Sequence, residues 1–147
     1  MFQEKIIYKK IDINALPSEV WKALTDTDMM QEWMLDEDIH ILTNWNVDSP
    51  IIITGILNGH TFENKGAVLK YEYEKNLHYS HLSSLSNLSD EEKNYVVYNF
   101  NLTQRTTHTS LSVTIHNFPT ESIYQHMNFY WNTTLNFLKQ FIEKQKN

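Results

Sequence analysis

Seven histidines, three consecutive acidic residues at Asp36, Glu37 and Asp38, and a bunch of serines between positions 83 and 89 are the side chains here whose types could do chemistry. Zinc needs three or four ligands converging on one point, and the histidine spacing argues against convergence. On a strand, His78 and His81 face opposite sides, because an odd separation alternates faces. His40, His60, His108 and His116 fall at expected hairpin or edge positions, and His126 near the start of a helix. No metal site and no cofactor are expected. The acidic trio reads as a solvated turn, since paired-carboxylate chemistry needs two side chains meeting across a cleft from different elements. No Gly-x-Ser-x-Gly elbow and no glycine-rich phosphate loop occur, with only 3 glycines in the chain. If the chain is an enzyme, His81 is its one candidate base, with Tyr98 as a partner.

A second set of residues points to binding. Trp33, Tyr79, His81, Tyr98, Phe100, Met127 and Trp131 combine large apolar area with polar tips. On an inner face, polar-tipped rings need hydrogen-bond partners that a dry core seldom supplies, so a bound molecule could supply them. Met127 beside Trp131 offers a deformable wall. Val20, Trp21, Leu111, Val113 and Leu138 read as plain core.

Composition bounds the rest. The 147 residues, 41% hydrophobic and 13% aromatic, suffice for one domain over 1–147 with a substantial core. A formal charge of -6 with unclustered basic residues opposes binding to nucleic acid or anionic lipid. Absence of cysteine removes disulfides and thiolate chemistry and suits a reducing, cytoplasmic setting. No secretory leader is expected, and no apolar run approaches the ~20 residues that span a bilayer, so no membrane span is expected. Three Asn-x-Ser/Thr triplets are therefore read as chance.

These residues need a scaffold, and hydropathy patterning supplies one. Residues 2–13 read as a strand. Pro17, Glu19, Val20, Trp21 and Leu24 mark a short helix, and Thr27 before Asp28 a second one burying Met29, Met30 and Trp33. From residue 39 the pattern becomes strand-like. Ile39–Thr43 and Pro50–Leu57 lead to Asn58-Gly59, the pair preferred by a two-residue hairpin with two positive φ angles. The return strand carries Gly66 as a candidate bulge, and Leu77–Leu82 follows. Residues 83–94 read as a loop with a helical turn, Ser89 and Glu92 having capping-box spacing. Val96, Tyr98, Phe100 and Leu102 alternate with polar residues, and Leu111, Val113 and Ile115 repeat the device. Strand phase is open in 2–13 and 39–47, so Trp45 could face either way. From Pro119 to about Lys144, Ile123, Met127, Trp131, Leu135, Leu138 and Ile142 recur every three or four residues. That helix, on the order of 35 Å long at ~1.5 Å per residue, can lie across a sheet. The fold class is α+β: a curved antiparallel sheet gripping a long C-terminal helix.

The segment from Ala15 to Thr25 with Trp33, then Lys65-Gly66-Ala67-Val68, Leu77–His81, Thr109–Ile115 and the last helix with Trp131, Leu135 and Leu138 resembles the START-like superfamily. Within it the chain is similar to the branch of the activator of the heat-shock-protein-ninety ATPase. The resemblance implies a helix-grip fold with a hydrophobic cavity between sheet and helix, and no catalytic set. It implies an apolar ligand, such as a lipid, sterol or polyketide, or alternatively a chaperone partner. A cavity-based cyclase or hydrolase is a third possibility. His81 stands where many relatives carry a bulky aromatic, which would add a polar group to the pocket.

Overall fold

The computed structural model describes residues 4–34 and 37–145. Strand β1 (Ile7–Ile13) is followed by helices α1 (Pro17–Thr25) and α2 (Thr27–Trp33), then β2 (Glu37–Leu42), β3 (Pro50–Leu57), β4 (His60–Glu72), β5 (Asn76–Ser83), β6 (Val96–Gln104), β7 (Thr109–His116) and helix α3 (Glu121–Gln145). All pairings are antiparallel, in one seven-stranded sheet ordered β1-β7-β6-β5-β4-β3-β2.

Local chemistry explains the joints. Pro17 opens α1, where a missing N–H is harmless, and the Leu16 N–H donates to Glu19 Oε1 at 2.8 Å. Asp26 ends α1 and caps α2, its carboxylate accepting from the N–H groups of Asp28 at 2.9 Å and Met29 at 3.2 Å. The cap thus lies one residue before the Thr27 that the sequence suggests. Asn58 and Gly59 have φ of 51° and 81° and join β3 to β4 with Leu57 opposite His60, the expected hairpin turn.

Gly66 is not the bulge. A Cβ there would lie 1.7 Å from the Ser80 carbonyl oxygen, so its lack of side chain lets β4 and β5 approach, and the register shift falls between Val68 and Lys70. The 83–94 connection holds two single 3-10 turns, Ser84–Ser86 and Glu92–Asn94, but no capping box forms: the Ser89 hydroxyl donates to the Glu91 carboxylate. Of the acidic trio, Asp36 lies outside the described residues, and Asp38 is exposed with a positive φ of 49° beside a register shift in β2.

Helix α3 buries Met127, Trp131, Thr134, Leu135, Leu138 and Ile142. Each large apolar side chain removed from water contributes ~1.5–3 kcal/mol, so this stripe holds the helix on the sheet. Its partners are the inward residues of β5, β6 and β7, among them Leu77, Tyr79, Tyr98, Phe100, Leu111, Val113 and Ile115, with Val20, Trp21, Met30 and Trp33 of the two short helices.

Candidate functional site

Strand periodicity delivers the candidate residues to one side. On β5, Tyr79 and His81 face α3 while Asn76, His78 and Ser80 face away; Tyr98 and Phe100 on β6 lie opposite Tyr79 and Leu77. The seven predicted residues come together. Trp131 packs edge-on against Phe100 (5.7 Å between ring centroids) and Tyr98 (5.6 Å), and Trp33 lies 6.4 Å away. Tyr98 also meets Tyr79 at 5.2 Å and His81 at 5.4 Å. The Tyr98 hydroxyl donates to Met127 Sδ at 3.1 Å, a weak acceptor for a buried phenol.

Burial is nearly complete for six of the seven, and His81 is partly open. His81 therefore marks the edge of the cluster, near His126 on the exposed side of α3. Desolvation first, and the nearby His126 second, hold the His81 imidazole down to about 4, so the ring is neutral near pH 7. Burial raises the Tyr79 phenol well above its usual value.

The four tryptophans separate structural from available polar groups. Trp33 Nε1–H donates to the Ala23 carbonyl at 2.8 Å, Trp45 Nε1–H to the Thr25 carbonyl at 2.7 Å, and Trp21 Nε1–H to Tyr71 Oη at 3.3 Å. Trp131 Nε1 is buried without an acceptor among the described residues, as is Thr134 Oγ1 one helical turn along. A buried donor left unpaired costs ~1–3 kcal/mol, which sets the Trp131 indole N–H apart from the other three among the described residues.

Three residues outside the sequence-derived set extend the cluster. Trp45 turns inward against Tyr71 and Tyr79 at 6.2 Å each, and Tyr130 packs on Trp131 at 5.3 Å. Trp45 has φ of 61° in the segment between β2 and β3, outside any alternating pattern that could fix its side. Tyr130 could have been found from its place beside Trp131 on the helical stripe.

Among the described residues Asp12, His108 and Ser110 meet, but not in the order of a serine–histidine–aspartate relay. Ser110 Oγ donates directly to Asp12 Oδ1 at 2.6 Å, and His108 Nε2 lies 3.6 Å from that same oxygen, so the imidazole neighbours the carboxylate instead of activating the serine. Among the described residues no group of three metal-ligating side chains converges, and no helix is long and apolar enough to cross a membrane.

A curved antiparallel sheet closed over a long C-terminal helix, with aromatic side chains between them, defines a helix-grip protein of the START-like superfamily. The family model described as Activator of Hsp90 ATPase homolog 1-like protein matches residues 14–143, and the chain belongs to that family. A protein from Cytophaga hutchinsonii, solved in solution, is 32% identical, with 97% of this chain and 96% of that one aligned and a TM-score of 0.81. The fold is shared with the Aha1 dimer from Colwellia psychrerythraea, at 23% identity, 97% and 99% coverage and a TM-score of 0.74. It is shared too with a protein from Mesorhizobium loti, at 20% identity, 95% and 98% coverage and a TM-score of 0.75. Among curated proteins none matches the chain.

Proposed function

We propose that the chain is a non-enzymatic binding protein whose ligand is an apolar small molecule bearing one hydrogen-bond acceptor, taken up between the sheet and α3. The observation that carries this reading is the unpaired Trp131 Nε1–H at the middle of the ring cluster. Trp33, Tyr79 and Phe100 supply apolar walls, and Tyr98 exchanges its weak bond to Met127 for one to the ligand. His81, neutral and partly open, stands at the entrance. Uptake moves Met127, whose unbranched chain repacks at low cost. The acceptor is a carbonyl or carboxyl oxygen, which fits fatty acids, oxidised sterols and aromatic polyketides. No cofactor is required, and a soluble cytoplasmic location is the natural setting for such a carrier.

The test is native mass spectrometry of gently purified protein, then a thermal-shift screen over those three ligand classes. A co-purifying mass, or a shift in wild type that shrinks in Trp131→Phe, supports the reading. A clean apo mass with no shift across the panel removes it.

A protein-partner reading has its own support in the exposed rings on α3, Phe129 at 74% and Phe137 at 47% exposure. Family membership makes an Hsp90-type ATPase the partner to try. Retention of that chaperone by wild type and its loss in Phe129→Ser/Phe137→Ser would favour this second role.

A further inference from the structure

The tip of the β3–β4 hairpin carries chemistry of its own. Asn58 and Gly59 form its two-residue turn with φ of 51° and 81°, close to the roughly +60° and +90° of a type I′ turn. All four tip residues, Leu57 to His60, are exposed. A Cβ built on Gly59 would meet nothing within 4 Å, and the Asn58 side-chain amide has no hydrogen-bond partner among the described residues.

An asparagine holds an electrophile two bonds from its own Cα. Attack on Cγ by the next backbone nitrogen closes a five-membered succinimide, and a Cβ on that next residue hinders the approach. Glycine removes the obstacle. The chain has fifteen asparagines, and Asn58 alone precedes glycine. Asn87 supplies an internal comparison: it is also exposed, with φ of 59°, but Leu88 follows it.

The turn that selects this pair also restrains it. Ring closure needs Asn58 ψ rotated until the Gly59 nitrogen eclipses Cβ, whereas type I′ geometry keeps ψ near about +30°, with that nitrogen far round from Cβ. The reaction therefore runs through an opened turn. Opening is local, because the tip buries nothing and the first buried side chain on β4 is Phe62.

We propose that Asn58 is a site of spontaneous deamidation to isoaspartate, gated by opening of the β3–β4 turn. The Gly59 nitrogen bonds to Asn58 Cγ and the Cγ–Nδ2 bond breaks. The Gly59 amide proton passes through solvent to the departing nitrogen, which leaves as ammonia. Water then opens the imide: cleavage at the main-chain carbonyl gives isoaspartate, cleavage at Cγ gives aspartate, and nothing is oxidised or reduced. The isoaspartyl product runs its backbone through Cβ and Cγ, one atom longer, so a two-residue turn no longer fits. Neither residue belongs to the ring cluster, and the modification is independent of the ligand proposed there.

The test is incubation of the folded protein, and of the same protein unfolded in urea, warm and at mildly alkaline pH for several weeks. Peptide mass spectrometry locates the gain of about 1 Da, and electron-transfer fragmentation separates isoaspartate from aspartate. Conversion at Asn58 and none at Asn87 is expected, with the folded protein about tenfold to a hundredfold slower than the unfolded one, as local opening of an exposed turn allows. Gly59→Ala loses the conversion, although its turn is strained and opens more readily. The isolated isoaspartyl protein melts about 2–6 °C below wild type, whereas Asn58→Asp, which keeps a turn-compatible Asp-Gly pair, melts with it. No conversion in the folded protein, equal rates folded and unfolded, or conversion at Asn87 as fast as at Asn58 each overturns the proposal. So does undiminished conversion in Gly59→Ala, or an isoaspartyl protein as stable as wild type.

Discussion

Replacing Trp131 by Phe separates a ligand-facing indole from an ordinary core ring. Truncation to Ala does not, because Trp131 is 2% exposed and touched by Trp33, Tyr98, Phe100 and Tyr130. Loss of so buried a ring costs ~3–5 kcal/mol, a large part of the ~5–15 kcal/mol that holds a domain together. The phenylalanine variant keeps a ring and removes the unpaired Nε1–H. Two effects then oppose each other. The smaller ring leaves a gap worth ~1–2 kcal/mol of lost transfer and packing, while removal of a buried unpaired donor returns ~1–3 kcal/mol. The expected net change in the apo protein lies within about 1 kcal/mol of zero. Binding has no such compensation: the ligand's acceptor loses its donor, and affinity falls about tenfold. Urea denaturation followed by far-ultraviolet circular dichroism gives the first quantity without relying on tryptophan emission, and calorimetric titration with a ligand found in the screen gives the second. Destabilisation beyond about 2 kcal/mol would mean that the indole N–H is satisfied in solution and that Trp131 is core, refuting the reasoning.

Gly66→Ala places a methyl group into the Ser80 carbonyl and is expected to cost over ~3 kcal/mol, because β4 and β5 must separate. Gly59→Ala, with φ of 81° and open space around the new Cβ, should cost only the ~1–2 kcal/mol of left-handed backbone; equal thermal midpoints for the two variants would contradict the close approach. Thr134→Val removes an unpaired buried hydroxyl and should leave urea stability unchanged or raise it by ~1 kcal/mol, whereas a loss above that would indicate a satisfied hydroxyl. For His81 the folded pKa is about 4 against 6.5 unfolded, so the unfolded state binds more protons between those values and stability falls as pH drops through that window. The contribution is at most ~3 kcal/mol, and the difference in unfolding free energy between pH 4 and pH 7.5 should shrink in His81→Phe; an unaltered difference would show that His81 titrates normally.

Much of the scaffold was legible because local chemistry and tertiary structure agree. Asn58-Gly59 is dictated by backbone sterics alone, the alternation of β6 by its half-buried setting, and the α3 stripe by helical period. The same periodicities collected the seven ring-cluster residues on one side. Where sequence reading fell short, the deciding partner was distant along the chain. Asp26 caps α2 because α1 ends there. Gly66 is required by Ser80, fourteen residues away on the next strand, and nothing beside it in sequence announces that. Nor could composition tell which tryptophan N–H goes unpaired: three find carbonyl or phenol oxygens contributed by other elements, and Trp131 does not. The outer row of asparagines was visible as alternate polar positions at 99 and 101, but only the β5–β6 register brings Asn76 beside them.

The ring cluster depends on the phase of one strand. Along β5, successive residues alternate between Asn76 and His78 on the outer face and Leu77, Tyr79 and His81 on the ring cluster. A slip of one residue in its pairing would carry polar side chains into the interior and rings into water, a loss of many kcal/mol. Three features fix the phase: the close passage of Gly66 over Ser80, the register shift between Val68 and Lys70 that brings Lys70 opposite His78, and the Asn76 amide clasped by Asn99, Asn101 and the Phe100 carbonyl. The clasp spends the donors of Asn76 on the single neighbouring strand β6, so the contacts that pin the outer side chains also hold the rings inside. Side chains at the two surfaces are nonetheless separable by mutation, since period-two geometry keeps an outward substitution such as His78→Phe out of the interior.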